Sequence, residues 1–163
     1  MKSRIIFITG MSGSGKSTVL QGLRKKGYTT IDTDNEGYCY YDYDERFQDY
    51  GWVWKEEKIK EVVKNHLEGV LFSAGTVSNQ GKFYSYFDEI IYLAAPLSML
   101  LARVQTRTHN PYGQTVEERE TIQSDFKQFD AIIKGNATIV IDATQKLENV
   151  IQEVENKANS YLT

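Results

Sequence analysis

The run GMSGSGKST, residues 10–18, places three glycines, a lysine and four hydroxyl side chains directly after the apolar run at residues 5–8. Gly10, Gly15, Lys16 and Ser17 match the spacing G-x-x-x-x-G-K-[ST]. Such a loop turns successive backbone N–H groups inward around a phosphate, and glycine is used because a side chain would block that approach. The lysine then reaches the outer phosphates and the hydroxyl ligates Mg²⁺. A chance glycine-rich turn is the alternative, but ordinary residue frequencies produce this spacing about once in 30,000 positions. The residues expected to hold a nucleoside triphosphate are therefore Gly10, Met11, Ser12, Gly13, Ser14, Gly15, Lys16, Ser17 and Thr18.

Other residues able to do chemistry lie farther along. In IDTD, residues 31–34, Asp32 and Asp34 are two apart, so an extended chain puts both carboxylates on one side. One could serve Mg²⁺ and the other an acceptor hydroxyl; a turn-and-cap pair is the alternative. Many phosphate-loop enzymes place an acidic residue at the end of the strand that here reads GVLFSAGT, residues 69–76, but Ser73, Gly75 and Thr76 stand there instead. That leaves Asp32 as the acidic partner of the metal's water shell. Arg103 and Arg107 are four apart, on one face if helical, and a guanidinium on a migrating phosphoryl group aids transfer. Two solvated surface arginines are the other reading. His109 reads as surface and His66 as a packed core or edge residue on a helix. Residues 38–54, YCYYDYDERFQDYGWVW, hold eight aromatics interleaved with acids. These rings could stack on a ring-shaped acceptor or pack the segment onto the domain, and the acids disfavour a nucleic-acid backbone.

The elements that must position these groups alternate. Residues 4–9, 28–32, 70–73, 89–94 and 138–141 read as five short apolar or β-branched strands. Between them lie helical patterns: the one after the glycine-rich loop, ended by Gly27; residues 54–67, with Ile59, Val62, Val63, His66 and Leu67 on one face; and a helix opened by Pro96. Thr115 and Glu118 form a capping box for a further helix that Gly135 is placed to stop, and Leu147, Val150, Ile151 and Val154 mark a last one. This alternation predicts an α/β fold with a parallel sheet covered on both faces and its site beyond the carboxyl ends of the strands. Residues 33–53, 74–88 and 105–114 lack a core pattern and are expected to build that site.

The totals narrow the class. The 163 residues suit a single domain, 1–163, without disulfides, since Cys39 is the one cysteine. A net charge of −3 argues against nucleic-acid or membrane partners, and no apolar run is long enough to span a bilayer. With no signal-peptide pattern at the start, the expected location is cytoplasmic. The oligomeric state stays open.

With these residues in place, the chain resembles the small phosphate-loop kinases of the adenylate kinase and shikimate kinase superfamily over nearly its whole length. The segments that carry the resemblance are GMSGSGKST, YTTIDTD, IIYLAAPLSMLLARV and TIVIDAT…LENVIQEV. It implies a P-loop NTPase three-layer sandwich with a five-stranded parallel sheet of order 2-3-1-4-5. It also implies an acceptor flap within residues 35–68, a short lid within 105–115, and an adenine-contacting loop between the last strand and helix. By the same resemblance Asp32 assists Mg²⁺, Asp34 holds the acceptor and Arg107 contacts phosphate from the lid. The sequence departs from the shikimate kinases at SAGTVSNQG, where they carry a triple glycine, and at GWVWK, where Lys55 stands near their carboxylate-binding arginine. The function expected is ATP- and Mg²⁺-dependent phosphoryl transfer to a small hydroxyl-bearing or nucleotide-like acceptor. The catalytic set is Lys16, Asp34 and Arg107, with Arg103 and Arg107 on the nucleotide and Ser17 and Asp32 at the metal. The alternatives are a nucleotide kinase of adenylate kinase type and a nucleotide-switched binding module with slow hydrolysis.

Overall fold

The computed structural model describes residues 2–160. Strand β1 (Ser3–Thr9) leads through the glycine-rich loop into helix α1 (Lys16–Lys25), followed by β2 (Thr29–Asp32). An antiparallel hairpin, β3 (Cys39–Asp44) and β4 (Asp49–Trp54), precedes α2 (Glu56–Asn65) and β5 (Gly69–Ala74). A 3₁₀ segment (Gln80–Tyr86) leads to β6 (Glu89–Ala94) and α3 (Leu97–Thr106), and α4 (Val116–Asn136), β7 (Ile139–Asp142) and α5 (Leu147–Asn159) complete the described chain.

The main sheet has five strands in the order β2-β5-β1-β6-β7, all pairs parallel. Numbered without the hairpin, that is the expected 2-3-1-4-5. Both faces are covered, which is why the strands read as almost unbroken apolar runs. Ile6, Ile8, Phe72, Ile91 and Leu93 pack on one face with Val19, Leu20 and Leu23 of α1 and Val150, Ile151 and Val154 of α5. Phe7 and Ile90 point the other way, into a cluster with Trp54, Ile59 and Phe83. Gly22 lets α1 and α5 approach: a Cβ there would lie 2.3 Å from Ile151 Cδ1.

Helix ends follow local chemistry. Gly27, at φ +97°, closes α1 with its N–H on Arg24 O while the Tyr28 N–H reaches Leu23 O. The Thr115–Glu118 capping box opens α4. Three expectations need correction. Gly135 does not stop α4, which continues to Asn136. His66 and Leu67 lie beyond the end of α2; His66 Nε2 meets Gly69 O at 2.9 Å and Leu67 is 80% exposed. Residues 39–53, expected to lack a core pattern, and Trp54, expected to open the helix over 54–67, form the hairpin instead, because cross-strand pairing supplies an order that one segment's pattern does not show.

The hairpin is tied down at its base. Trp54 is 2% exposed and packs edge-on to Phe7, with ring centroids 5.1 Å apart. The Asn79 amide brackets the Trp54 backbone, accepting from its N–H at 2.8 Å and donating to its carbonyl at 3.1 Å. Arg46 pairs with Asp44 at 2.7 Å, and Ser78 Oγ donates to the same carboxylate at 2.8 Å. At the tip, Phe47 meets Phe129 of α4 edge-on. Among the described residues, no helix is long and apolar enough to cross a membrane.

Candidate active site

The glycine-rich loop turns at the carboxyl end of β1, as the sheet topology requires of a site in this fold. Gly13 takes φ +89° and Gly15, the residue before α1, takes φ +99°. Both are left-handed conformations open to glycine. Gly13 also has no room for a side chain, since a Cβ would lie 2.7 Å from Leu100 O. Lys16 Nζ donates to Gly10 O at 2.7 Å and to Met11 O at 3.2 Å, and it forms no ion pair among the described residues. Burial pulls the Lys16 ammonium below its ordinary pKa, with Asp34 opposing, Arg107 reinforcing and Asp32 opposing. A shielded cation without a bonded carboxylate, beside inward-turned backbone, is a site that suits an anion.

β2 ends at Asp32, and the chain turns there instead of continuing extended. The Asp34 N–H donates to Asp32 Oδ1 at 3.1 Å, so the turn reading of the Asp pair is correct in part. The same turn builds the site. Asp32 Oδ2 accepts from Ser17 Oγ at 3.3 Å and from Asn35 Nδ2 at 2.8 Å, and the Glu36 carboxylate holds the Asp32 N–H. A hydroxyl and a carboxylate side by side are hard oxygen donors of the kind Mg²⁺ takes. Among the described residues no cluster of three acidic, His or Cys side chains could cage a metal. Mg²⁺ commonly needs only one or two side chains besides phosphate oxygens and water, so Ser17 and Asp32 fit it.

Asp34 faces the cleft. Solvent reaches it, yet the surrounding protein raises its carboxyl above the ordinary value, with Lys16 opposing, Asp32 adding to the rise and the Thr76 N–H opposing. The cleft holds about 850 Å³ and runs from the glycine-rich loop past Asp34, Cys39, Trp52 and Thr76 on one side. On the other it reaches Arg103 and Arg107, with Ala143, Gln145 and Leu147 at the end of β7. Arg103 braces the loop, its guanidinium donating to Ala143 O at 2.6 Å and Gly13 O at 3.4 Å. Arg107 is held by its own segment, donating to Tyr112 O at 2.7 Å and Asn110 O at 3.2 Å, so neither is a freely solvated arginine. His109, read as surface, is exposed but lines the cleft. Lys55 is absent from the cleft lining. The Cys39 thiol, which donates to Thr33 O at 3.0 Å, is pushed up to about 12 by burial and by Asp34 and Asp32, which favours the protonated form at neutral pH.

Sequence reasoning missed the support beneath the loop. Thr76 Oγ1 donates to Gly10 O at 2.6 Å and lies 3.3 Å from Thr9 Oγ1, which accepts from the buried Gln80 amide at 3.1 Å. Polar Asn79 and Gln80 so soon after a core strand were the available signal.

Comparison with known proteins places this geometry. The family model described as an AAA domain matches residues 6–124. The chain is 28% identical over 159 residues to a shikimate kinase from Chromobacterium violaceum, covering 89% of this chain and 84% of that one. It is 29% identical over 166 residues to a protein from Trichlorobacter lovleyi named a nucleotide-binding protein, covering 96% of this chain but spanning 56% of that protein's length. In structure it matches shikimate kinase from Acinetobacter baumannii, solved in complex with shikimate, with a TM-score of 0.64 at 18% identity over 98% of this chain and 94% of that one. The chain belongs to the AAA domain family and has the small P-loop kinase fold of the shikimate kinase type.

Proposed function

We propose that this protein transfers the terminal phosphoryl group of ATP to a hydroxyl of a small acceptor, with Mg²⁺. The observation that carries the reading is the convergence of Lys16, Ser17 and Asp34 on one cleft, with Asp32 accepting from Ser17 beside it. Backbone N–H groups of residues 12–16 cradle the phosphates, and Lys16 leaves its carbonyl partners to neutralise the migrating group. Ser17 and Asp32 hold Mg²⁺, which supplies charge neutralisation at the phosphates. Ala143, Gln145 and Leu147 receive the base. Asp34 orients the acceptor hydroxyl and takes its proton as the oxygen–phosphorus bond forms and the bond to the leaving diphosphate breaks. Arg107 adds charge when its segment closes over the nucleotide. The names of the shikimate kinase relatives support transfer to a small molecule.

Lys16→Ala tests the reading. It is expected to lose at least tenfold in Mg²⁺–ATP affinity by calorimetric titration and to melt no lower than the parent, because it removes a shielded charge that the fold does not pair. Unchanged ATP affinity together with unchanged acceptor phosphorylation overturns the assignment.

A further inference from the structure

We infer that the acceptor is an uncharged, ring-bearing alcohol, a nucleoside or a neutral sugar, whose ring stacks on Trp52 while its hydroxyl meets Asp34. This rests on the phosphotransferase reading and names the acceptor class for it.

The charge around the cleft carries the argument. The basic side chains that line it are Lys16, Arg103, Arg107 and His109. Lys16 belongs to the phosphate loop, and both guanidiniums are already engaged by backbone carbonyls on the side of α3 and its following segment. Opposite them, around the turn after β2 and the hairpin, the lining is Asp34, Asn35, Cys39, Trp52 and Thr76. That wall has one carboxylate, an amide, a hydroxyl, a protonated thiol and an indole, and no cation. The nearest arginine of the hairpin, Arg46, is spent on Asp44 and Ser78 O. A carboxylate or phosphate carried by the acceptor would be desolvated beside Asp34 and Asp32, with Lys16, the cation that acts on Asp34, committed to the phosphate loop and Lys55 outside the lining, a costly arrangement.

The hairpin supplies the complementary feature. Tyr41 pairs across from Trp52 and Tyr43 across from Tyr50, so all four rings share one face, while Val53, Gly51 and Asp44 turn inward toward the domain. Trp52 is 58% exposed although it lines the cleft, and Tyr41 props it edge-on at 5.6 Å while stacking on Tyr50 at 5.9 Å. The indole is thereby held in place with a side left free. A base or a sugar face fits such a ring, and Asp34 and Asn35 offer acceptor and donor groups to its hydroxyls.

The test is ATP-dependent phosphorylation of matched pairs by the full chain, read by mass spectrometry. The pairs are adenosine and cytidine against their 5′-monophosphates, and glucose and ribose against gluconate and ribose 5-phosphate, with shikimate added. A neutral member is expected to exceed its anionic counterpart by at least a hundredfold in kcat/KM, and the nucleoside and sugar arms tell the two sources apart. Trp52→Ala is expected to raise KM for that acceptor at least tenfold with kcat within threefold and Mg²⁺–ATP affinity retained, and Trp52→Phe to recover most of the loss. Preference for an anionic member, or an unchanged KM in Trp52→Ala, overturns this inference and leaves the kinase reading standing. ATP binding with no transfer to any member overturns both.

Discussion

Asp34 is the residue at which stability and the proposed chemistry pull in opposite directions. Its surroundings hold the carboxyl above the ordinary 3.8, so the folded state binds that proton more tightly than the unfolded chain does. The contribution therefore favours folding below the ordinary value and is lost as pH rises through the raised one. Asp34→Asn keeps the shape and removes the charge. It is expected to melt above the parent at pH 7, with the gain shrinking as pH falls toward 3.8. Transfer should fall about 10²-fold or more, the scale of a positioned acid–base group, without weaker Mg²⁺–ATP binding. Thermal melts across pH and steady-state rates decide it. Normal turnover returns the residue to a turn role alone.

At the scale of elements, the hairpin depends on a small number of polar anchors. Asn79 satisfies both backbone groups of Trp54, and Arg46, followed by Ser78, holds the Asp44 carboxyl well below the usual carboxylate range. Asn79→Ala leaves the Trp54 N–H and carbonyl without those partners at the point where β4 enters the core. The expected cost is about 1–3 kcal/mol. Hydrogen exchange is expected to rise across residues 39–54 while β1, buried on both faces, keeps its protection. An equal rise in β1 would mean that Asn79 supports the whole fold and not the hairpin.

Across the whole molecule, one cleft is lined by elements far apart in sequence. The cleft is bounded by the glycine-rich loop, the turn after β2, α3 with its following segment, and the loop between β7 and α5. Arg103 already links three of these through Gly13 O and Ala143 O. Mg²⁺–ATP at a hundred times its Kd is expected to stabilise the fold by about 2.7 kcal/mol. For a chain of this size that corresponds to a rise in Tm of roughly 5–11 °C. Because the role proposed for Ser17 and Asp32 runs through the metal, EDTA with ATP is expected to remove most of the rise. Equal melting curves with and without Mg²⁺ would separate these two residues from metal binding.

The sequence by itself determined what is local or what two-sided burial imposes. Residues 10–18 were legible because backbone cradling of phosphate needs glycines at fixed spacing, and Gly13 and Gly15 do take left-handed φ. The five main strands were legible because helices on both faces leave no polar alternation, and Thr115 with Glu118 announced α4 because a capping box closes within four residues. Tertiary structure decided the rest. The aromatics and acids of residues 38–54 read as a patternless insert until Tyr41 met Trp52 and Tyr43 met Tyr50 across the hairpin, and no property of Trp52 alone distinguishes a cleft wall from an exposed ring. His66 and Leu67 fit the spacing of a helical face, yet α2 stops before them. Asp32 and Asp34 were visible as a carboxylate pair, but the turn that gives one to Ser17 and the other to the cleft is closed by Asp32 accepting its neighbours' N–H groups. A side chain's type and spacing are encoded in one stretch of chain, whereas its exposure and partners are set by whatever distant segment packs against it.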